Sequence, residues 1–288
     1  MAIRLAYHAN CWGPLGGDAV GVTSIGALTY RTFADMGRAI AEIGEAGYEG
    51  VEVFDGNLLD YDGRRPEFRA VLAACGVKLV AVYSGANFIF GEILDQELAR
   101  ITRAADAAAD LGAEHLVVGG GAKRIEGIGD DDYRRLADGL ERVVAIAKAR
   151  GLTAHYHPHL TTIVEGPAEV DSIFGLTSIE FCPDTAHLAA AGGDVVAMIR
   201  KYHRRISYIH LKGWRKDPFA FTPLDEGDLD MSAIMCALTE TNYRGWITAE
   251  LDAWPDPKNG AARSLAFLRG TASRTDGDAA HESGAKSS

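Results

Sequence analysis

Short apolar runs rich in Val, Ile and aromatic residues alternate along the chain with longer stretches in which apolar positions recur at helical spacing. The runs at 3–9, 50–54, 77–83, 115–119, 152–157, 178–182, 206–211 and 246–250 read as buried strands. Between them the periodicity predicts helices near 31–46, 64–75, 93–111, 131–150, 167–175, 193–202, 230–240 and 258–270. Gly47, Gly76, Gly112 and Gly151 stand where left-handed helix caps are needed, just ahead of the next apolar run. Helix, glycine and buried strand in that order is the punctuation of βα units around a parallel sheet. About eight such units predict an α/β fold, a single (β/α)₈ TIM barrel. A doubly wound sheet would share the local pattern, but Cys11-Trp12-Gly13-Pro14-Leu15-Gly16-Gly17 after the first strand lacks the G-x-G-x-x-G spacing of a phosphate loop.

The chain has 288 residues, 47% of them hydrophobic, enough for one large core. A barrel uses roughly 250 residues, which assigns 1–270 to the barrel. From Thr271 to Ser288 no apolar residue is larger than alanine, and this segment is expected to be a disordered tail. The formal net charge of −11 argues against nucleic acid or an anionic membrane as partner and favours a small molecule. Cys11, Cys75, Cys182 and Cys236 show no metal or redox spacing and read as reduced thiols. The first residues run directly into a strand-like segment, and no stretch is apolar enough to span a bilayer, so a soluble, cytoplasmic protein is expected.

In a barrel of this kind chemistry collects where strands end and βα loops begin. The later strands close with His155-Tyr156-His157-Pro158-His159, Cys182-Pro183-Asp184-Thr185-Ala186-His187, Ile209-His210-Leu211-Lys212 and Ala249-Glu250-Leu251-Asp252. Asp184, His210 and Glu250 on successive strand ends would meet in one mouth, a carboxylate and imidazole mixture suited to one divalent cation. Taken singly they read as a loop cap, a core histidine and a surface carboxylate. Alternate strand residues face the same side, so His155, His157 and His159 do not all serve as ligands. His157 is the candidate fourth ligand and His159 a candidate acid or base. Glu165 is an alternative ligand, a partner behind the ligands, or an acidic residue at the next helix N-terminus. His8, Asn10, Tyr83, Ser84, Trp12, Trp214 and Trp254 are placed to line a polyol pocket or simply to pack. Gly119-Gly120-Gly121 with Lys123 and Arg124 reads as a permissive loop or a phosphate cradle.

At these residues the sequence resembles the xylose-isomerase-like superfamily of sugar isomerases and epimerases. Asp184-Thr185-Ala186-His187, the segment from Arg205 to Lys212, and Ala249-Glu250 carry the likeness. The resemblance implies metal ligands at His157, Asp184, His210 and Glu250, with histidine standing where the superfamily usually places a glutamate. It also implies substrate contacts from Glu52, His187 and Lys212. The block around His157-Pro158-His159 is similar to inosose dehydratase-like members and favours His159 for proton transfer. The implied chemistry is proton removal next to a carbonyl of a keto-sugar or keto-cyclitol by Glu250 or His159, with His159 or His157 protonating a leaving oxygen. The outcome is then β-elimination, isomerisation or epimerisation. Manganese, magnesium, cobalt and zinc are compatible metals. A barrel that binds a sugar without catalysis, or that needs a second subunit or homo-oligomer, is the alternative of a different class.

Overall fold

The computed structural model describes residues 4–17 and 28–284, with 272–284 as backbone only. Its strands are β1 (Arg4–His8), β2 (Leu15–Gly17), β3 (Tyr30–Thr32), β4 (Gly50–Phe54), β5 (Lys78–Ala86), β6 (His115–Gly120), β7 (Thr153–Tyr156), β8 (Glu180–Phe181), β9 (Tyr208–Leu211), β10 (Gly213–Arg215), β11 (Ala220–Thr222) and β12 (Trp246–Ala249). The helices are α1 (Met36–Ala46), α2 (Asp55–Leu59), α3 (Arg65–Cys75), α4 (Gly91–Asp110), α5 (Asp130–Lys148), α6 (Pro167–Phe174), α7 (Thr185–Ala190), α8 (Val195–Tyr202), α9 (Met231–Glu240) and α10 (Pro257–Gly284).

Eight strands form one parallel sheet in the order β8-β7-β6-β5-β4-β1-β12-β9. A parallel bridge between Asp184 and His210 joins the two edges, and the His210 amide donates to the Pro183 carbonyl at 3.0 Å. The barrel thus closes through two residues of the candidate metal site.

Period-two alternation sorts each strand between two layers. Leu5 and Tyr7 of β1, Val51 and Val53 of β4, and Leu116 and Val118 of β6 pack outward against the helices in the main core. Ala6, Val80, Val117, Cys182, Tyr208 and Trp246 form a separate cluster that fills the lumen. Gly50 makes room there: a Cβ at that position would lie 2.5 Å from Val80 Cγ1 and 3.1 Å from the Trp246 ring. The polar residues above this plug sit on a packed floor.

Several differences from the sequence expectation have local causes. The expected helix at 31–46 starts at Met36 behind the Asp35 cap, and its first residues pair instead in the antiparallel hairpin β2–β3. The β10–β11 hairpin and the short helices α2 and α7 arise in loops too brief to show a period. The fifth and sixth strands shorten because the chain leaves the sheet toward the mouth at Pro158 and Pro183, and proline cannot donate to a ladder. Helix α10 continues past 270, where a disordered tail was expected, to Gly284. Its alanines favour local helical hydrogen bonding even without an apolar face. All four cysteines are free thiols. Among the described residues no helix is long and apolar enough to cross a membrane.

Candidate active site

Inward-facing positions near the strand ends carry the site. His157 follows β7, Asp184 follows β8, His210 lies in β9 and Glu250 follows β12. All four are buried, and one ligand atom from each lies within 4.8 Å of the others. His157 Nε2 is 3.6 Å from Asp184 Oδ2, and His210 Nδ1 is 2.6 Å from Glu250 Oε2. None of these four atoms has a hydrogen-bond partner of acceptable geometry. Buried polar atoms are seldom left so, and four of them converging on one point fit a divalent cation. Asp184 shows the division of labour within one carboxyl. Its Oδ1 accepts from the His187 amide at 2.8 Å and caps α7, while Oδ2 faces the site, 3.3 Å from the Lys212 ammonium.

The electrostatics agree. Asp184, Glu250 and Asp252 surround a single ammonium, that of Lys212, which is itself fully buried, while Glu52 pairs with His210. Burial opposes ionisation of Asp184, but Lys212, His187 and His157 outweigh it and hold its carboxyl below the usual range. Glu250 is lowered in the same way, against burial, by Lys212 and His210. Burial disfavours charge on His210, yet Glu52 and Glu250 push its imidazole up to about 10. The cluster therefore recruits a proton where a metal ion would supply positive charge instead. Burial keeps His157 below its ordinary value, hence neutral and able to ligate.

His8, Glu52 and His210 form a second possible group. There, however, Glu52 Oε2 already accepts from His210 Nε2 at 2.8 Å and from the Tyr208 hydroxyl at 2.6 Å, and Tyr208 in turn accepts from Thr248 at 2.6 Å. Glu52, fully buried, thus stands behind His210 and not at the substrate side. Its bond to Nε2 leaves Nδ1 as the outward-facing atom of the imidazole.

Lys212 is the hub of the opposite side. Its Nζ is 3.0 Å from Glu250 Oε1 and Asp252 Oδ1, 3.3 Å from Asp184 Oδ2 and 3.2 Å from His187 Nε2. Asn10 donates to the same Glu250 oxygen at 3.0 Å. His159 lies against His187, ring centroids 3.8 Å apart, and its Nδ1 is 2.6 Å from the Leu160 carbonyl. That contact requires Nδ1 to donate, which leaves the lone pair on Nε2. A cavity of about 340 Å³ opens above these groups and is lined by Phe54, Tyr83, His157, His159, Glu250 and Asp252 among others. His8 is buried behind it, its ring centroid 6.0 Å from that of Tyr83.

Glu165 is not brought into the cluster. It pairs with Lys123 of the loop after β6 and accepts from the Thr161 amide at 2.7 Å, so its charge is used between the loops that follow β6 and β7. Arg124 is likewise engaged, by Asp132 at 2.9 Å. The loop at 119–121 therefore has no spare cation for a phosphate. Asp252, Tyr208 and Thr248 are site residues that the sequence reading left without a role. Each stands two positions from Glu250 or His210, and strand parity alone puts it on the same face.

A closed βα barrel with a buried acid, imidazole and ammonium cluster at its mouth defines the class: the chain is a TIM-barrel enzyme. Residues 40–271 match the xylose isomerase-like TIM barrel family, and the chain belongs to that family. An inosose dehydratase from Geobacillus kaustophilus (strain HTA426) is 29% identical, covering 76% of this chain and 80% of its own length. One from Clostridium perfringens (strain ATCC 13124) is 26% identical, covering 80% and 88%. Among solved structures, an L-ribulose 3-epimerase superposes with TM-score 0.74 at 19% identity over 98% of both chains. A 3-keto-D-glucoside 4-epimerase from E. coli does so with TM-score 0.71 at 17% identity over 93% of this chain and 99% of its own.

Proposed function

We propose that this chain is a divalent-metal-dependent lyase that removes water from a keto-cyclitol or related keto-sugar. The observation that carries the reading is the convergence of four buried ligand atoms that make no hydrogen bond, from His157, Asp184, His210 and Glu250, below a cavity lined by His159. The inosose dehydratases among the relatives support the substrate class and the elimination.

His157, Asp184, His210 and Glu250 would hold the cation, which when bound supplies Lewis-acid polarisation of the substrate carbonyl. Phe54 and Tyr83 would pack against the C–H face of the ring and Asp252 would meet its hydroxyls, with Lys212 holding Asp252 from behind. His159 Nε2 takes the proton from the carbon next to the carbonyl. Glu250 is less suited to that step, because Oε1 already accepts from Asn10 and Lys212 and the carboxyl is held ionised. Electrons from the broken C–H bond form the new double bond as the β-hydroxyl leaves. The His159 imidazolium returns the proton to the departing oxygen, which completes water and restores the neutral base.

The test is metal content of wild type beside Asp184→Ala, followed by assay of both against scyllo-inosose and 3-keto-sugars. About one metal per chain, lost in the variant together with formation of a dehydrated product, is the expected result. An isomer as the sole product would replace elimination by epimerisation after the same proton removal. A wild-type protein that takes up no metal when resupplied would overturn the catalytic reading in favour of a sugar-binding or partner-dependent barrel.

A further inference from the structure

Lys212 follows β9 and has no solvent-exposed surface. An ammonium is costly to bury unless it is paired and hydrogen-bonded, and this one is both. Its Nζ donates to Asp252 Oδ1 at 3.0 Å and to His187 Nε2 at 3.2 Å, and it pairs with Glu250 Oε1 at 3.0 Å. Phe221 of β11 lies over it, the ring centroid 4.7 Å from Nζ. The backbone is fixed as well: the Lys212 amide donates to Thr185 Oγ1 at 2.9 Å, and that hydroxyl donates to the Lys212 carbonyl at 2.8 Å. The side chain is thereby kept below the cavity, and its charge acts through the carboxylates around it.

Two of its contacts fall on the candidate ligands, in different ways. On Glu250 it takes Oε1, the oxygen to which Asn10 also donates at 3.0 Å, and leaves Oε2 toward His210. On Asp184 it stands 3.3 Å from Oδ2, the oxygen that faces His157 and the candidate metal position. That approach is a contact of charges and not a hydrogen bond. An ammonium and a divalent cation that share one carboxylate oxygen repel each other, and burial makes the repulsion stronger than it would be in water.

We propose that Lys212 is a built-in counter-cation of the metal centre. It holds Asp184, Glu250 and Asp252 together in the metal-free protein, and it lowers the affinity of the site so that the ion stays exchangeable. Lys212 is thus a positioning residue that acts through Asp184 and Glu250 without touching substrate. The inference rests on the metal-dependent reading above. It differs in sign from an ordinary supporting contact. Loss of a partner that only orients a ligand weakens metal binding roughly 10- to 100-fold, whereas loss of a repelling charge tightens it. Glu250 stays oriented when Lys212 is replaced, because Asn10 still donates to Oε1.

The test takes the full chain as wild type, Lys212→Met and Lys212→Gln, strips each with a chelator and titrates Mn²⁺ against a chelating indicator. Melting of the stripped and the Mn²⁺-saturated proteins is followed by circular dichroism. Both variants are expected to bind Mn²⁺ at least about tenfold more tightly than wild type. Stripped Lys212→Met is expected to melt about 10 °C lower, because three buried or half-buried carboxylates lose their shared cation, and saturating Mn²⁺ should restore most of the loss. Affinity equal to or weaker than wild type in the folded variants would overturn the inference, as would stripped variants that melt with wild type. If Lys212→Met unfolds when stripped, tighter binding by Lys212→Gln carries the same support. Failure of both variants to fold even with saturating Mn²⁺ overturns the inference, because the ion then does not replace the ammonium. Metal uptake by wild type without tightening in the variants defeats this inference alone and leaves the metal-dependent reading standing. Uptake by the variants but not by wild type supports the counter-cation and defeats the lyase reading, and uptake by none of the three defeats both.

Discussion

Replacing Glu52 by glutamine tests whether a buried carboxylate behind His210 tunes the metal centre. The substitution keeps the side-chain shape and removes a charge that accepts from His210 Nε2 at 2.8 Å and from Tyr208 at 2.6 Å. That bond orients the ring and directs Nδ1 toward Glu250. Partners of this kind behind metal-binding histidines contribute roughly 10- to 100-fold in affinity, or ~1.4–2.7 kcal/mol. A glutamine carbonyl still accepts a hydrogen bond, so a loss near the tenfold end is expected for Glu52→Gln. Competition titration of Mn²⁺ or Zn²⁺ against a chelating indicator reads the affinity, and calorimetry of the chelated protein reads folding. The metal-free variant should melt within a few degrees of wild type, because Glu250 still neutralises His210. Metal affinity within about twofold of wild type in a folded Glu52→Gln protein would refute the argument, since an outer-shell role requires more.

Three further outcomes follow from the geometry. His159→Gln should retain the metal and lose about 10²–10⁴ in kcat, because the general acid and base is gone while the ligands remain. Loss of metal in that variant would instead place His159 among the ligands. Burial pulls the His115 imidazole down to about 4 from its ordinary 6.5, so it stays neutral in the fold. The unfolded chain protonates first as pH falls, so this contribution, up to about 3 kcal/mol, is complete above about pH 6.5 and lost progressively toward pH 4. Urea midpoints of chelated wild type and His115→Gln at pH 7.5 and 4.5 check this, and an unchanged pH dependence in the variant would exclude His115 as the source. Gly50→Ala should cost about 1–3 kcal/mol by forcing Val80 and Trp246 apart in the lumen, read as a drop in melting temperature. An unchanged melting temperature would show that the lumen relaxes freely.

The eight barrel strands were legible because each is a buried parallel strand, and such strands read as short apolar runs whatever their partners. The hairpins at β2–β3 and β10–β11 were not, since three-residue strands carry too few positions to display alternation. Within the site, Asp184, His210 and Glu250 stood out because strand ends in a barrel share one mouth. Glu165 was misplaced as a ligand candidate because the path of a loop is not periodic, and a turn at Thr161 with positive φ sends the carboxylate to Lys123. Glu52 was singled out only by the family resemblance, as a substrate contact. Whether it met substrate or His210 depended on β4 and β9 facing each other across the lumen.

By itself, then, the chain's pattern of apolar and polar positions determined the number of βα units, the face each strand residue takes and the residue types offered at the mouth. Those properties follow from local periodicity and short-range sterics. Only the tertiary structure decided which of the offered groups converge, that Asp184 divides its two oxygens between a helix cap and the site, and that Lys212 stands between two would-be ligands. Distances across a closed barrel are set by strand tilt, closure and packing among residues far apart in sequence, and no local pattern encodes them.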